Sequence, residues 1–164
     1  MDSSSGVSFR SKYMGPGSVP PDFGFGGEGA LYRLSQLRGF RRVLLAFCPD
    51  SIVASCQDGI RAVKQNLEDY RKRELVAIVV SPVKEEELTR FAREEPMPII
   101  LISDERQETI SAYGVRGMKS PVVFLIDKEG IVQASWARWP STEEIFEAVD
   151  SFPAKEAQGR SEAA

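Results

Sequence analysis

The stretch Val43-Leu44-Leu45-Ala46-Phe47, entered through Arg42, is apolar on both of its alternating faces. A strand with one face in water alternates polar and apolar residues, so an unbroken run reads as a strand covered on both sides. Leu75 to Val80 repeats the pattern, and Ile99 to Ile102 and Val122 to Ile126 give two shorter runs. Between the first two runs, Val53, Cys56, Ile60, Val63, Leu67 and Tyr70 recur at three- and four-residue spacing, which places them on one helical face. Strands buried on both faces and separated by amphipathic helices require helices on both sides of one sheet. The fold class is therefore α/β, with a central mixed β-sheet flanked by helices.

The remaining elements follow from local signals. Leu34 to Leu37 reads as a short helical turn, and Pro20 to Phe23 as an extended entry. Ser81-Pro82 predicts a helix opening with proline at its first position, with Leu88, Phe91 and Ala92 as its apolar stripe. Asp104 with Gln107 fits a capping box, and Gly114 ends the helix that follows. Val122–Ile126 and Ile131–Trp136, joined by Asp127-Lys128-Glu129-Gly130, predict an antiparallel hairpin. Ser141 with Glu144 caps a last helix carrying Ile145, Val149 and Phe152. Residues 1–18 and 154–164 are polar or Ser/Gly-rich and are expected to be disordered, leaving one domain over 19–153.

Composition then narrows the chemistry. A net charge of -3, with both signs mixed along the chain, argues against a nucleic-acid or membrane surface built on bulk charge. No run reaches transmembrane length and the start lacks a signal-peptide core, so a cytoplasmic protein is expected. Among 164 residues there is no histidine. That removes the usual general base, every Cys-His or Ser-His dyad and imidazole metal ligation; no metal site and no cofactor are expected. The glycines between 24 and 29 form no phosphate loop, because no Lys-Ser/Thr follows them.

Thiol chemistry remains, and there are two cysteines. Cys56 lies near the start of the helix that leaves the first long strand, with Ser51 or Ser55 as its N-cap. Free amides and the helix dipole at such a position favour a thiolate, the form that attacks peroxides and disulfides. The same spacing also allows Cys56 to be a small core hydrophobe beside Ile60 and Val63. Cys48, at the end of the strand, reads as structural from position alone.

Several segments together resemble the peroxiredoxins, the alkyl hydroperoxide reductase and thiol-specific antioxidant group within the thioredoxin-like fold. Pro20-Pro21-Asp22-Phe23 is similar to their entry segment, and Leu34 to Gly39 to the segment before their first core strand. Leu45-Ala46-Phe47-Cys48-Pro49 resembles the strand that feeds their active-site loop. Leu101 to Asp104, Ala112 to Val115, and Phe124-Leu125-Ile126-Asp127 with Gly130 match later landmarks. The resemblance runs from about Pro20 to Phe152.

By that resemblance Cys56 is the peroxidatic cysteine, forming a sulfenic acid on peroxide, and Pro49 shields it. The family signature PxxxTxxC reads Pro49-Asp50-Ser51-Ile52-Val53-Ala54-Ser55-Cys56, so Val53 replaces a hydrogen-bonding threonine. Pro121 stands where the family carries an arginine aimed at the cysteine. Arg116 or Lys119 could supply a substitute cation. A thioredoxin-type cis-proline is the expected form of Pro121. Cys-x-x-Cys is absent, since Val53 and Gly59 flank Cys56 at that spacing. Cys48 is a facultative resolving thiol whose bonding to Cys56 is expected to need the first helical turn to open. The implied partners are a peroxide substrate, a thioredoxin or small-thiol reductant and a second copy in a homodimer. A thiol–disulfide oxidoreductase and a non-catalytic redoxin domain are the alternatives.

Overall fold

Arg42–Phe47 forms β3, and every residue of it after Arg42 is buried, as the unbroken apolar run requires. The computed structural model describes residues 13–25, 32–49, 52–94 and 99–151, with the backbone alone over 52–55. A short antiparallel pair, β1 (Gly24–Phe25) with β2 (Tyr32–Arg33), precedes a 3₁₀ turn at Leu34–Leu37. Then come α1 (Ile52–Gln65), α2 (Leu67–Lys72), β4 (Leu75–Ser81), α3 (Glu85–Glu94) and β5 (Ile100–Ser103). The chain finishes with α4 (Glu108–Ala112), β6 (Val122–Ile126), β7 (Val132–Trp136) and α5 (Thr142–Asp150).

The sheet order is β5-β4-β3-β6-β7. β3, β4 and β5 run parallel, while β6 pairs antiparallel with β3 and β7 with β6. Phe47 therefore sits opposite Val80 on one side and Val122 on the other. Alternation along the strands divides the core into two layers. Leu44, Ala46 and Cys48 face a layer with Cys56, Ile60 and Val63 of α1, Leu88 and Phe91 of α3, and Ile145 and Val149 of α5. Leu45 and Phe47 face the other, with Leu34, Ile110, Tyr113 and Phe124. Burying one such side chain contributes about 1.5–3 kcal/mol, so β3, buried on both faces, carries a large share of the fold's stability.

Three predicted boundaries move. Asn66 interrupts the long helical face, dividing it into α1 and α2. β4 continues through Ser81, paired with Ser103, so the next helix opens at Glu85 and Pro82 lies in the preceding bend. Ala92 is exposed, so Leu88 and Phe91 alone anchor that helix. Gln107 also departs from the predicted box: it adopts φ 58° in the N-cap position of α4, while Asp104 caps the helix itself, its carboxylate accepting from Glu108 N and Ile110 N. Gly114, at φ 72°, ends the helix as expected. The Ser141–Glu144 capping box forms at α5, and Phe152 lies outside the described residues.

The entry segment is tied down at both ends. Gly17 N donates to Val132 O at 2.8 Å and Val132 N to Ser18 O at 2.9 Å, so the backbone at 17–18 pairs with the start of β7. The Asp22 carboxylate accepts from Arg33 Nε and from the amide and hydroxyl of Ser35. Burial pushes that carboxyl up, but these bonds more than offset it and hold it below its ordinary range.

Candidate active site

The end of β3 and the start of α1 bring the two cysteines together. Cys48 and Cys56 are disulfide-bonded, with Cα atoms 6.3 Å apart. That separation lies within the range a disulfide spans without backbone movement. The bond forms while α1 is helical from Ile52 onward, so the expected opening of the first turn is not required. The reason lies in side-chain direction. Helical side chains lean toward the N-terminus, which carries Cys56 Sγ back over residues 52–55 toward the strand end. Both cysteines are sealed in the α1-facing layer, 0% and 1% exposed.

The strand end is held in place by its neighbours. Cys48 N donates to Val80 O at 2.9 Å, extending the β3–β4 ladder to the first cysteine of the pair. Pro49 is half-buried, and its carbonyl accepts from Ser81 Oγ at 3.3 Å. The same Ser81 oxygen accepts from Val83 N at 3.3 Å, and Ser103 Oγ donates to Val83 O at 2.6 Å. Ser81 is fully buried, so both of its bonds lie out of water. Sequence reasoning missed this residue because Ser-Pro signals a helix start. The signal that could have found it is its place directly after an apolar strand, where a serine must satisfy its hydroxyl locally.

The other predicted site residues are placed as follows. Val53 is in the first turn of α1, and its side chain lies outside the described residues, as do Ser51 and Ser55 as caps. Pro121 is buried at the entry to β6, and its peptide bond is trans, correcting the expected cis form. An extended strand entry accounts for this: β6 pairs with Phe47 from Val122 onward, and a proline just outside the ladder loses no bond. Ser120 Oγ donates to Ala137 O at 3.1 Å, bracing that entry.

Arg116 is exposed and turned toward Ser111, whose hydroxyl accepts from its Nη1 at 3.3 Å. It lines a groove of about 290 Å³ with Pro49, Gln107, Ile110 and Met118. Ile110 and Met118 belong to the layer opposite the disulfide. The groove thus meets the site at Pro49, with Pro82, next to Ser81, also on its wall, while Arg116 bonds Ser111. Lys119 is exposed in the same loop. Among the described residues, no group of three or more Cys, Asp or Glu side chains is arranged to hold a metal ion.

A mixed sheet of this order, with two cysteines joining the end of its central strand to the next helix, defines a thiol-redox domain of the thioredoxin-like class. Residues 16–135 match the model of the AhpC/TSA family. The chain belongs to that family.

Peroxiredoxin Bcp of Escherichia coli K12 is 28% identical over 128 residues, covering 71% of this chain and 81% of that protein. Peroxiredoxin Bcp of Bacillus subtilis 168 is 25% identical over 147 residues, covering 83% and 93%. Among solved structures, peroxidoxin BcpB from Mycobacterium tuberculosis superposes with a TM-score of 0.73 at 18% identity, covering 85% of this chain and 98% of that one. A thiol:disulfide interchange protein, DsbE, assigned in Chlorobium tepidum gives 0.67 at 25% identity, covering 82% and 97%.

Proposed function

We propose that the chain reduces hydrogen peroxide or a small organic hydroperoxide through an intrachain two-cysteine cycle, Cys56 attacking and Cys48 resolving. The observation carrying this reading is the Cys48–Cys56 pairing at 6.3 Å between Cα atoms, reached with α1 intact. The Cys56 thiolate attacks the terminal peroxide oxygen. An S–O bond forms, the O–O bond breaks and the alcohol or water leaves with a proton. The Cys48 thiol then attacks the sulfenic sulfur, an S–S bond forms, and the displaced hydroxide leaves as water. A thioredoxin or small thiol in a reducing compartment such as the cytoplasm returns both cysteines to thiols. The turn over residues 52–55 supplies amides and a dipole that favour the thiolate, in place of the family's threonine and arginine.

With Val53 and Pro121 at those positions, two donors that would polarise the peroxide bond are absent. Losing one such donor costs about 2.7–4 kcal/mol of transition-state stabilisation, so the peroxide step is the slow half of the cycle. This departure supports a second reading, a thiol–disulfide oxidoreductase whose working couple is the same Cys48–Cys56 pair.

The two readings separate in one experiment. Reduced protein is mixed with hydrogen peroxide or cumene hydroperoxide, and the products are mapped by mass spectrometry, with Cys56→Ser and Cys48→Ser as controls. A peroxidase shows Cys56-dependent oxidation well above that of a free thiol, a 48–56 linkage in the native chain and a trapped sulfenic acid in Cys48→Ser. Oxidation no faster than a free thiol, with rapid exchange against a disulfide substrate, overturns the first reading in favour of the second.

A further inference from the structure

Gly59 lies three residues beyond Cys56 on α1 and is buried against the face of Trp139. A Cβ at position 59 would lie closer to Cγ, Cδ2 and Cε2 of Trp139 than any side-chain carbon comes to a ring, so something would have to shift. Contact this close is possible only because residue 59 lacks a side chain.

The segment presenting the indole is braced on both sides. Arg138 forms a two-pronged bridge to the Glu144 carboxylate, at 2.8 and 2.6 Å. Glu144 also closes the Ser141 capping box, accepting from Ser141 N and donating its own amide to Ser141 Oγ. Ala137 O receives the Ser120 hydroxyl from the entry to β6. Trp139 packs on the same core layer that holds Cys48, Cys56 and Ile60. It thus stands as a fixed abutment, less than one helical turn from the sulfur that must reach Cys48.

We propose that Trp139, through its contact with Gly59, is a positioning residue for the redox couple: it holds α1 where Cys56 closes onto Cys48. The inference rests on the reading of Cys48–Cys56 as the working pair. In the disulfide state α1 is tied to β3 and pressed on the indole. In the dithiol state that tie is gone and α1 has freedom to ease away. Bulk added at position 59 therefore strains the disulfide state more than the dithiol state.

The test is the equilibrium of the 48–56 disulfide with reduced and oxidised glutathione, by thiol trapping, in the full chain and its variants. The exchange is balanced: the disulfide and two glutathione thiols yield two cysteine thiols and one glutathione disulfide. A reversible wild-type titration establishes the couple itself, and its absence would sink the underlying reading rather than this one. With the couple established, Gly59→Ala is expected to shift the equilibrium toward the dithiol about tenfold or more, the order that overpacking a filled site produces.

Alanine is the better helix former, so helix propensity alone would not produce that loss. In a Trp139→Ala background, itself shifted toward the dithiol, Gly59→Ala is expected to add little further shift, because the ring it would strike is gone. Trp139→Phe, measured alone, withdraws part of the abutment from an unchanged helix and is expected to favour the dithiol several-fold. It carries the test if Gly59→Ala does not fold. An unchanged equilibrium in folded Gly59→Ala, a full further shift from Gly59→Ala in the Trp139→Ala background, or an unchanged Trp139→Phe each overturns the proposal.

Discussion

The Ser81 hydroxyl hydrogen-bonds the Pro49 carbonyl across 32 residues of sequence, one peptide beyond the cysteine that closes the disulfide. Because the same oxygen accepts from Val83 N, one buried side chain fixes both the end of β3 and the bend after β4. The position of Cys48 therefore depends on a residue with no chemical part in the thiol reaction.

Ser81→Ala is expected to destabilise the protein by about 1–3 kcal/mol, because it leaves a carbonyl and an amide without their partner out of water. Urea unfolding of native and variant chains measures the loss. Closure of the 48–56 bond after peroxide treatment is expected to slow in parallel, and an unaltered closure rate would show that the strand end is held by the ladder alone.

Reduction of the disulfide is expected to cost the fold only about 2–3 kcal/mol, since the bond closes a short loop and constrains the unfolded chain little. The cysteines are eight residues apart, and the two core layers do not depend on the bond. Denaturant midpoints with and without a strong thiol reductant test this. Unfolding on reduction would make the bond a structural staple rather than a working couple.

Val53→Thr restores one hydrogen-bonding group of the family signature. The second-order rate of Cys56 oxidation by hydrogen peroxide is expected to rise by at least about tenfold, a conservative share of what one such donor contributes. Stopped-flow oxidation of the two reduced proteins supplies the comparison. Equal rates would mean that position 53 does not meet the peroxide.

Acid is expected to loosen the segment before α5. The Arg138 guanidinium, then the Ser141 amide, hold the Glu144 carboxyl at about 2, below its ordinary 4.5. A depressed carboxylate contributes stability that is present above its unfolded value and lost as pH falls through the folded one. The window is thus about 4.5 down to about 2. Glu144→Gln should remove this part of the pH profile of thermal unfolding, and an identical slope in both proteins would assign the acid sensitivity elsewhere.

Much of this architecture was legible because β3, β4 and β6 are too apolar to be anything but doubly covered strands. The α1 stripe was legible for the same kind of reason, and it placed Cys56 in the core layer that the structure confirms. The less legible features depend on tertiary partners. Ser81 joins a strand instead of starting a helix because Ser103 is there to pair with it. Gln107 takes a left-handed backbone because Asp104 caps the following helix from a turn earlier.

The same distinction holds at the site. Spacing gave the eight-residue interval between the cysteines but not the lean of Cys56 back toward β3, which decides whether they can bond. Arg116 is three residues from Lys119 and five from Pro121 in sequence, yet the fold turns it toward Ser111 and the opposite layer. No local pattern announces the meeting of Gly59 with Trp139, 80 positions later.

That meeting also equips the molecule with its own optical gauge. Trp136 and Trp139 are the two tryptophans of the chain, and both pack on the layer that contains the cysteine pair. Disulfides quench nearby indole emission, and a ring lying on the redox helix registers small changes in its environment. A dithiol–disulfide cycle of this pair is therefore expected to show in the ultraviolet fluorescence of the native chain, where it can be followed in real time without a dye, a label or a coupled enzyme.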